Sequence, residues 1–185
     1  MVKRRGKEVF VRGKWISYHR DTINKVFKLK ETKDGHNFKK LKKEPEYQKI
    51  VDLLTDGKGK WVSTSRDQHK EIFRGSLTEE AKVWFYFLAS NLLPSKNLST
   101  VRRNEAIILY AILKGYKMNV GKIIENSILD YYNSKFRGLL PHPETITRLC
   151  ILGDISYLWE EEIKCPKVSP LTLTGITKGP RSKGK

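Results

Sequence analysis

Seven consecutive apolar residues, Ile107-Ile108-Leu109-Tyr110-Ala111-Ile112-Leu113, set the strongest limit on what this chain can fold into. The run is far shorter than the ~20 residues of a membrane span. Its flanks are those of a helix. In "VRRNEAIILYAILKG", Ser99 or Thr100 stands ready to cap the start, and Gly115 occupies the place of a C′ glycine. An apolar run of this length covers most of a helix surface, so the helix has to be buried on most sides. A buried central helix requires other elements to surround it.

The sequence supplies several. Ser76 stands three residues before Glu79 in "SLTEEAKVWFYFLASNLLP", a capping-box pattern that predicts a helix from about Leu77 to about Leu92, ending before Pro94. Asn119 is a good N-cap for "VGKIIENSILDYYN", with Val120, Ile124, Ile128 and Tyr131 along one face. Pro141 or Pro143 opens a last helix, "PETITRLCILG", which Gly153 terminates. Nearer the amino terminus, "EVFVRGKWISYH" reads as a β-hairpin with Gly13 in its turn. "RDTINKVFKL" is a brief amphipathic helix with Ile23, Val26 and Phe27 at i, i+3 and i+4. Residues 28–44 show little periodicity and read as a basic loop. Pro45 fits the first turn of a helix over "PEYQKIVDLL", which "TDGKGK" ends, and "KWVSTS" reads as a short strand. The expected fold is mainly α, one helical domain over residues 9–159 with a short N-terminal β-hairpin. A basic segment, 1–8, precedes it. A tail over 160–185, rich in Pro, Gly, Ser, Thr and Lys, is expected to be disordered.

The net charge is +17, unevenly spread. Residues 1–44 carry 15 Lys and Arg against 5 Asp and Glu, a net of +10, whereas residues 45–159 carry 16 against 12, a net of +4. A basic end on a near-balanced body points to contact with an anionic polymer. The candidate contacts are Lys3, Arg4, Arg5 and Lys7 in the first cluster and Lys39, Lys40, Lys42 and Lys43 in the second. Lys14 and Trp15 join them as a cation beside a stacking ring. Lys117 and Lys122 flank the helix start at Asn119, where a phosphate would meet free amides. Trp84, inside an apolar helix, is expected in the core.

"LKGYKMNVGKII" resembles a phosphate-binding loop only superficially. Gly115 and Gly121 are separated by five residues where four are needed, and Ile123 stands where Ser or Thr should hold magnesium. Gly115 is better explained as a helix end and Gly121 as a point of close packing. His19, His36, His69 and His142 have no second ligand at metal spacing, and no metal or cofactor is expected. Cys150 lies inside an apolar helix and reads as a small core residue. Asp52, Glu105, Glu125 and Asp130 fall at polar helix positions, as solvated faces do. Two cysteines, no ~18-residue apolar run and no apolar segment after "MVKRRGKEVF" suggest an intracellular chain without secretory signal or membrane span, with nuclear entry compatible with its basic clusters.

Three stretches carry a family resemblance: "VRGKWISYHRDTINKVFKL", "LTEEAKVWFYFLASNLLPSKNLSTVRRNEAIILYAILKGYKMNVGKIIENSI" and "LLPHPETITRLC". Over roughly Val9 to Ile155 the chain resembles the putative plant transposon protein domain, found in plant retroelement-derived reading frames. Leu93-Pro94-Ser95 and Asn119-Val120-Gly121 are the most telling pieces. His19-Arg20 stands where that family often has Ser-Pro, and "HPETIT" replaces its aliphatic residues after the last proline. The resemblance implies mobile-element origin and brings no catalytic residues with it. The expected function is therefore non-enzymatic contact with RNA or DNA at low sequence specificity. The alternative is a Gag-like assembly module that binds itself or other element-encoded proteins; a transposition enzyme is the third reading.

Overall fold

The computed structural model describes residues 4–30, 33–64, 67–95, 97–134 and 140–155. The strands and helices follow in chain order as β1 (Arg4–Arg5), β2 (Glu8–Val11), β3 (Lys14–Ser17), α1 (Arg20–Val26), α2 (His36–Lys43) and α3 (Tyr47–Thr55). Next come β4 (Trp61–Thr64), β5 (Asp67–Phe73), α4 (Glu79–Phe87), β6 (Thr100–Arg102), α5 (Arg103–Leu113), α6 (Val120–Asn133) and α7 (Pro143–Leu152). The fold is mainly α-helical with an N-terminal hairpin, as the periodicity predicts. The described residues form two compact units: a terminal unit takes the chain up to Lys33 and again from Asn119, and an inserted unit runs from Asp34 to Met118.

In the terminal unit, β2 and β3 pair antiparallel with Phe10 opposite Trp15 and Val9 opposite Ile16. Arg12 (φ 45°) and Gly13 (φ 83°) make a two-residue turn with both φ positive, the hairpin geometry that matches strand twist. A third strand, β1, joins through Gly6-Lys7, with Arg5 opposite Glu8. Its two charged residues carry no apolar alternation, so the sequence does not reveal it. His19 caps α1 despite the missing Ser-Pro: its Nδ1 accepts the Asp21 N–H at 3.4 Å.

α1 packs on α6 and α7. The inward residues of α6 are Gly121, Ile123, Ile124 and Glu125, whereas Val120, Ile128 and Tyr131 are half-buried. The buried face is thus turned from the expected apolar stripe, because α1 approaches over the glycine. A Cβ on Gly121 would lie 2.4 Å from the Arg20 carbonyl oxygen and 2.5 Å from Asn24 Oδ1. The close packing expected at Gly121 is present. α7 begins at Pro143 and buries Thr145 and Leu149 at i and i+4, which is the packing face left by "HPETIT". Gly153 caps it, and a Cβ there would sit 2.2 Å from Ile16 Cδ1.

The inserted unit has its own core. Ile50, Val51 and Leu54 of α3, Phe85 of α4, and Ala106, Leu109 and Ala111 of α5 pack with Phe38 and Leu41 of α2. The central helix α5 is buried along most of its surface, and Gly115 (φ 65°) ends it in the left-handed conformation. A three-stranded antiparallel sheet, β4-β5-β6, borders the core, with Ile72 of β5 paired to Trp61 and Val101. β4 is the strand expected at "KWVSTS"; β5 and β6 were not expected.

Five local expectations change. Residues 28–44 are not all loop: α2 forms because Phe38 and Leu41, three apart, both reach the core. Thr78, not Ser76, caps α4, its Oγ1 accepting the Ala81 N–H at 3.2 Å, while Ser76 turns back to the Phe73 carbonyl. α4 gives way at Leu88 to a wider π turn through Leu92. Neither Ser99 nor Thr100 caps α5. Thr100 belongs to β6, and Glu105 reaches back to accept the Arg102 N–H at 2.8 Å. Pro45 precedes α3 rather than opening it. The tail over 160–185 and residues 156–159 lie outside the described residues.

Replacing Gly121 with alanine forces a methyl group into backbone. The expected outcome is a loss of about 1–3 kcal/mol, read as a lower urea midpoint with an unchanged slope.

Candidate nucleic-acid interface

α2 holds the second basic cluster on a folded surface. Phe38 and Leu41 face inward, which turns His36, Lys39, Lys40 and Lys43 outward at i, i+3, i+4 and i+7. All four are exposed and form one stripe about 10 Å long at 1.5 Å per residue. Among the described residues, the only ion pair recorded on the stripe is Lys43 with Glu44, 3.4 Å apart and well exposed on both sides. Like charges at i and i+4 cost a helix about 0.2–0.5 kcal/mol per pair, so Lys39 with Lys43 is a small burden on α2. Lysines in the last turn also offset the negative end of the helix dipole. Lys42 lies at the margin of the stripe. Its Nζ is 2.8 Å from the buried Asp34 carboxylate and 4.5 Å from the Phe38 ring centre, so it serves the fold. Lys117 is exposed, and its carbonyl accepts the Gly35 N–H at 2.9 Å beside the start of α2.

The first cluster is engaged differently. Lys7 Nζ lies 2.8 Å from Glu125 Oε1, and the Arg20 N–H donates to Glu125 Oε2 at 2.7 Å. Glu125 is only 5% exposed. Burial alone would raise its pKa, but the Lys7 ammonium and the Arg20 amide outweigh it and hold the carboxyl below the ordinary range. Lys14 pairs with Asp154 at 2.8 Å and also donates to its carbonyl. Arg5 pairs with Glu8 at 2.8 Å, and its guanidinium lies 4.6 Å from the Trp15 ring centre. Phe10 flanks the same ring at 5.2 Å, so Trp15 already has two neighbours on its faces and edges. Lys3 lies outside the described residues, and of Arg4 only its place in β1 is described.

The helix start at Asn119 is capped from within the fold. Asn24 Oδ1 accepts the Gly121 N–H at 2.9 Å, and Asn119 Oδ1 accepts the Lys122 N–H at 2.9 Å. The Gly121 and Lys122 amides, two of the donors that would meet an anion, already have partners. Leu113 to Ile124 is thus the end of α5, a left-handed Gly115 and the capped start of α6.

Two acidic residues read as solvated are buried. Glu125 is the partner of Lys7, and Glu105, 4% exposed, is the cap of α5 with its pKa raised by burial. Trp84 is the opposite case. It was expected in the core but is 38% exposed, edge-on to the exposed Phe87 at 5.8 Å. Phe85 and Ala81 supply the buried face of α4 instead. Cys150 is half-buried, and burial raises its thiol pKa. Among the described residues no three His, Cys, Asp or Glu side chains are grouped to hold a metal ion, and no helix is long and apolar enough to cross a membrane.

The fold defines a mainly helical protein with a basic helical stripe. The chain belongs to the putative plant retrotransposon-related domain family, whose model matches residues 2–155. This agrees with the resemblance read over Val9 to Ile155. No curated protein matches the chain, and no solved structure does.

The Glu125 pair has a testable pH signature. A carboxyl with a depressed folded pKa contributes stability above the unfolded value of about 4.3 and loses it as pH falls through the folded value. Glu125→Gln removes that contribution. The stability gap between wild type and Glu125→Gln, from urea melts, should be largest near about pH 7 and shrink toward about pH 3.

Proposed function

We propose that this retrotransposon-related protein contacts nucleic acid through the α2 stripe, without a catalytic step of its own. The observation that carries the reading is the stripe of His36, Lys39, Lys40 and Lys43. The core of the inserted unit holds its position, yet the fold gains little from its charges. A charge that costs the helix a little and touches no buried carboxylate is available to a phosphate backbone. Such contacts release counterions and carry little sequence preference. The reading without a catalytic role rests on a different observation: among the described residues the three buried acidic side chains, Asp34, Glu105 and Glu125, are committed to Lys42, to a helix cap and to Lys7.

Each phosphate contact to a single strand contributes about 0.7 to the slope of log affinity against log salt. Replacing Lys39, Lys40 and Lys43 with glutamine should therefore lower the slope by about 2 in anisotropy titrations of labelled RNA. Thermal stability should change little, because the relieved like-charge repulsion and the lost dipole interaction oppose each other. An unchanged slope contradicts the proposal.

A second reading, assembly with further copies or with other element-encoded proteins, is favoured by the face of α4. Val83, Trp84 and Phe87 are 43%, 38% and 43% exposed there. In that reading, light scattering shows a mass that grows with concentration and returns to monomer in Trp84→Lys. A monomer at every concentration removes it.

A further inference from the structure

A second feature of the inserted unit fits a different part of a nucleic acid. A cleft of ≈ 460 Å³ opens between α3 and the β4-β5 hairpin, lined by Gln48, Val51, Gly59, Lys60, Trp61 and His69, with Ser63 at its rim. Its aromatic wall is fixed by three rings. Tyr47 and His69 stack with centroids 4.0 Å apart and planes 8° from parallel. Trp61 stands edge-on to both, at 5.6 Å from Tyr47 and 5.8 Å from His69. Trp61 Nε1 donates to the Tyr47 carbonyl at 2.8 Å, and Arg103 Nε donates to the His69 carbonyl at 2.9 Å. The floor is equally set. The Gly59 N–H donates to Thr55 Oγ1 at 2.9 Å, and a Cβ at Gly59 would lie 2.6 Å from Thr55 Cγ2. The walls are therefore built before any ligand arrives.

Charge separates this cleft from another concavity of the unit. A groove of ≈ 560 Å³ beside α2 contains Tyr110 and Tyr116, but Glu44 and Glu46 stand in it with Lys40 and Lys49. Its lining carries as many carboxylates as ammonium groups. Among the described residues, the lining of the cleft at Trp61 holds no carboxylate and one cation, Lys60. An aromatic wall with an exposed lysine in the lining suits a planar, uncharged ring attached to a phosphate.

We infer that the cleft takes one nucleobase of a single-stranded nucleic acid, stacked against Trp61, with Lys60 facing the adjoining phosphate. Single strands are the class required, since a paired base hides its faces inside the stack and an unpaired one offers them. Trp61 contributes to any base because every base has a π face, so the site adds affinity without reading sequence. The inference rests on the nucleic-acid reading of α2 and extends it from phosphate to base.

The test uses the full chain and two labelled oligonucleotides with the same backbone, one bearing bases and one abasic. One stacked base is worth about five- to 150-fold in affinity. The expected result is tighter binding of the base-bearing strand by that factor, lost in Trp61→Leu and largely kept in Trp61→Phe. Because Trp61 also packs against the core, Lys60→Glu provides a second variant at an exposed position. It should weaken the base-bearing strand more than the abasic one, with no change in melting temperature. Equal affinity for the two strands overturns the cleft and leaves the α2 reading standing. A base preference untouched by both Trp61→Leu and Lys60→Glu also overturns it. Failure to bind either strand at any salt removes both readings.

Discussion

One asparagine side chain holds the terminal unit together. Asn24, 3% exposed, accepts the Gly121 N–H through Oδ1 and donates to Asn119 Oδ1 at 3.3 Å through Nδ2. It joins α1 to the start of α6 across 95 residues of sequence. Gly121 makes the join feasible, since any side chain there would occupy the space of Asn24 and the Arg20 carbonyl. Loop closure over such a distance costs only logarithmically more than over a short one. The inserted unit lowers that cost further, because its own ends meet where the Gly35 N–H reaches the Lys117 carbonyl. Removing the Asn24 amide would strand buried polar atoms, a defect of about 1–3 kcal/mol.

The same logic divides the lysines. A cation beside a buried carboxylate is part of the fold, because breaking the pair leaves a charge without solvent or partner. Lys7 with Glu125 and Lys42 with Asp34 belong to this group. Lys14 with the exposed Asp154 is weaker, since exposed pairs are worth about 0–1 kcal/mol. Lys39, Lys40 and Lys43 touch no buried acid among the described residues. A count of +10 in residues 1–44 therefore overstates the charge offered to a partner and hides where it is offered. Long-range attraction still sums over all of them, but a specific surface is built only from those the fold leaves available.

Local signals made much of the fold legible. The Arg12-Gly13 turn, the buried α5, the caps at Asn119 and Gly153 and the close approach at Gly121 are each encoded within a few residues. What escaped depends on distant partners. β6 meets its partner β5 only across α4, and β5, although it follows β4 directly, opens with five polar residues, Asp67 to Glu71. α2 has only two apolar residues, too few for a periodicity to stand out from a lysine-rich run. Glu105 and Glu125 look solvated because their sequence neighbours do not show that a backbone amide or Lys7 approaches them. Trp84 looks buried because Val83 to Ala89 is an unbroken apolar run, and only the packing of Phe85 and Ala81 decides which side faces in. The candidate site was legible as a lysine cluster. That His36 completes its stripe followed from helical spacing, once the segment was known to be a helix. The Trp61 cleft required three elements to meet and had no local signature.

The central claim is that the fold engages Arg5, Lys7 and Lys14 of the terminal unit in ion pairs and leaves Lys39, Lys40 and Lys43 of α2 clear of any buried acid among the described residues. Its most direct measurement is an NMR titration of the 15N-labelled protein with a short single-stranded RNA at near-physiological salt. The account predicts amide shifts concentrated at His36 to Lys43, with the amides of Arg5, Lys7 and Lys14 unmoved. Shifts centred on β1 to β3, with α2 silent, would contradict it.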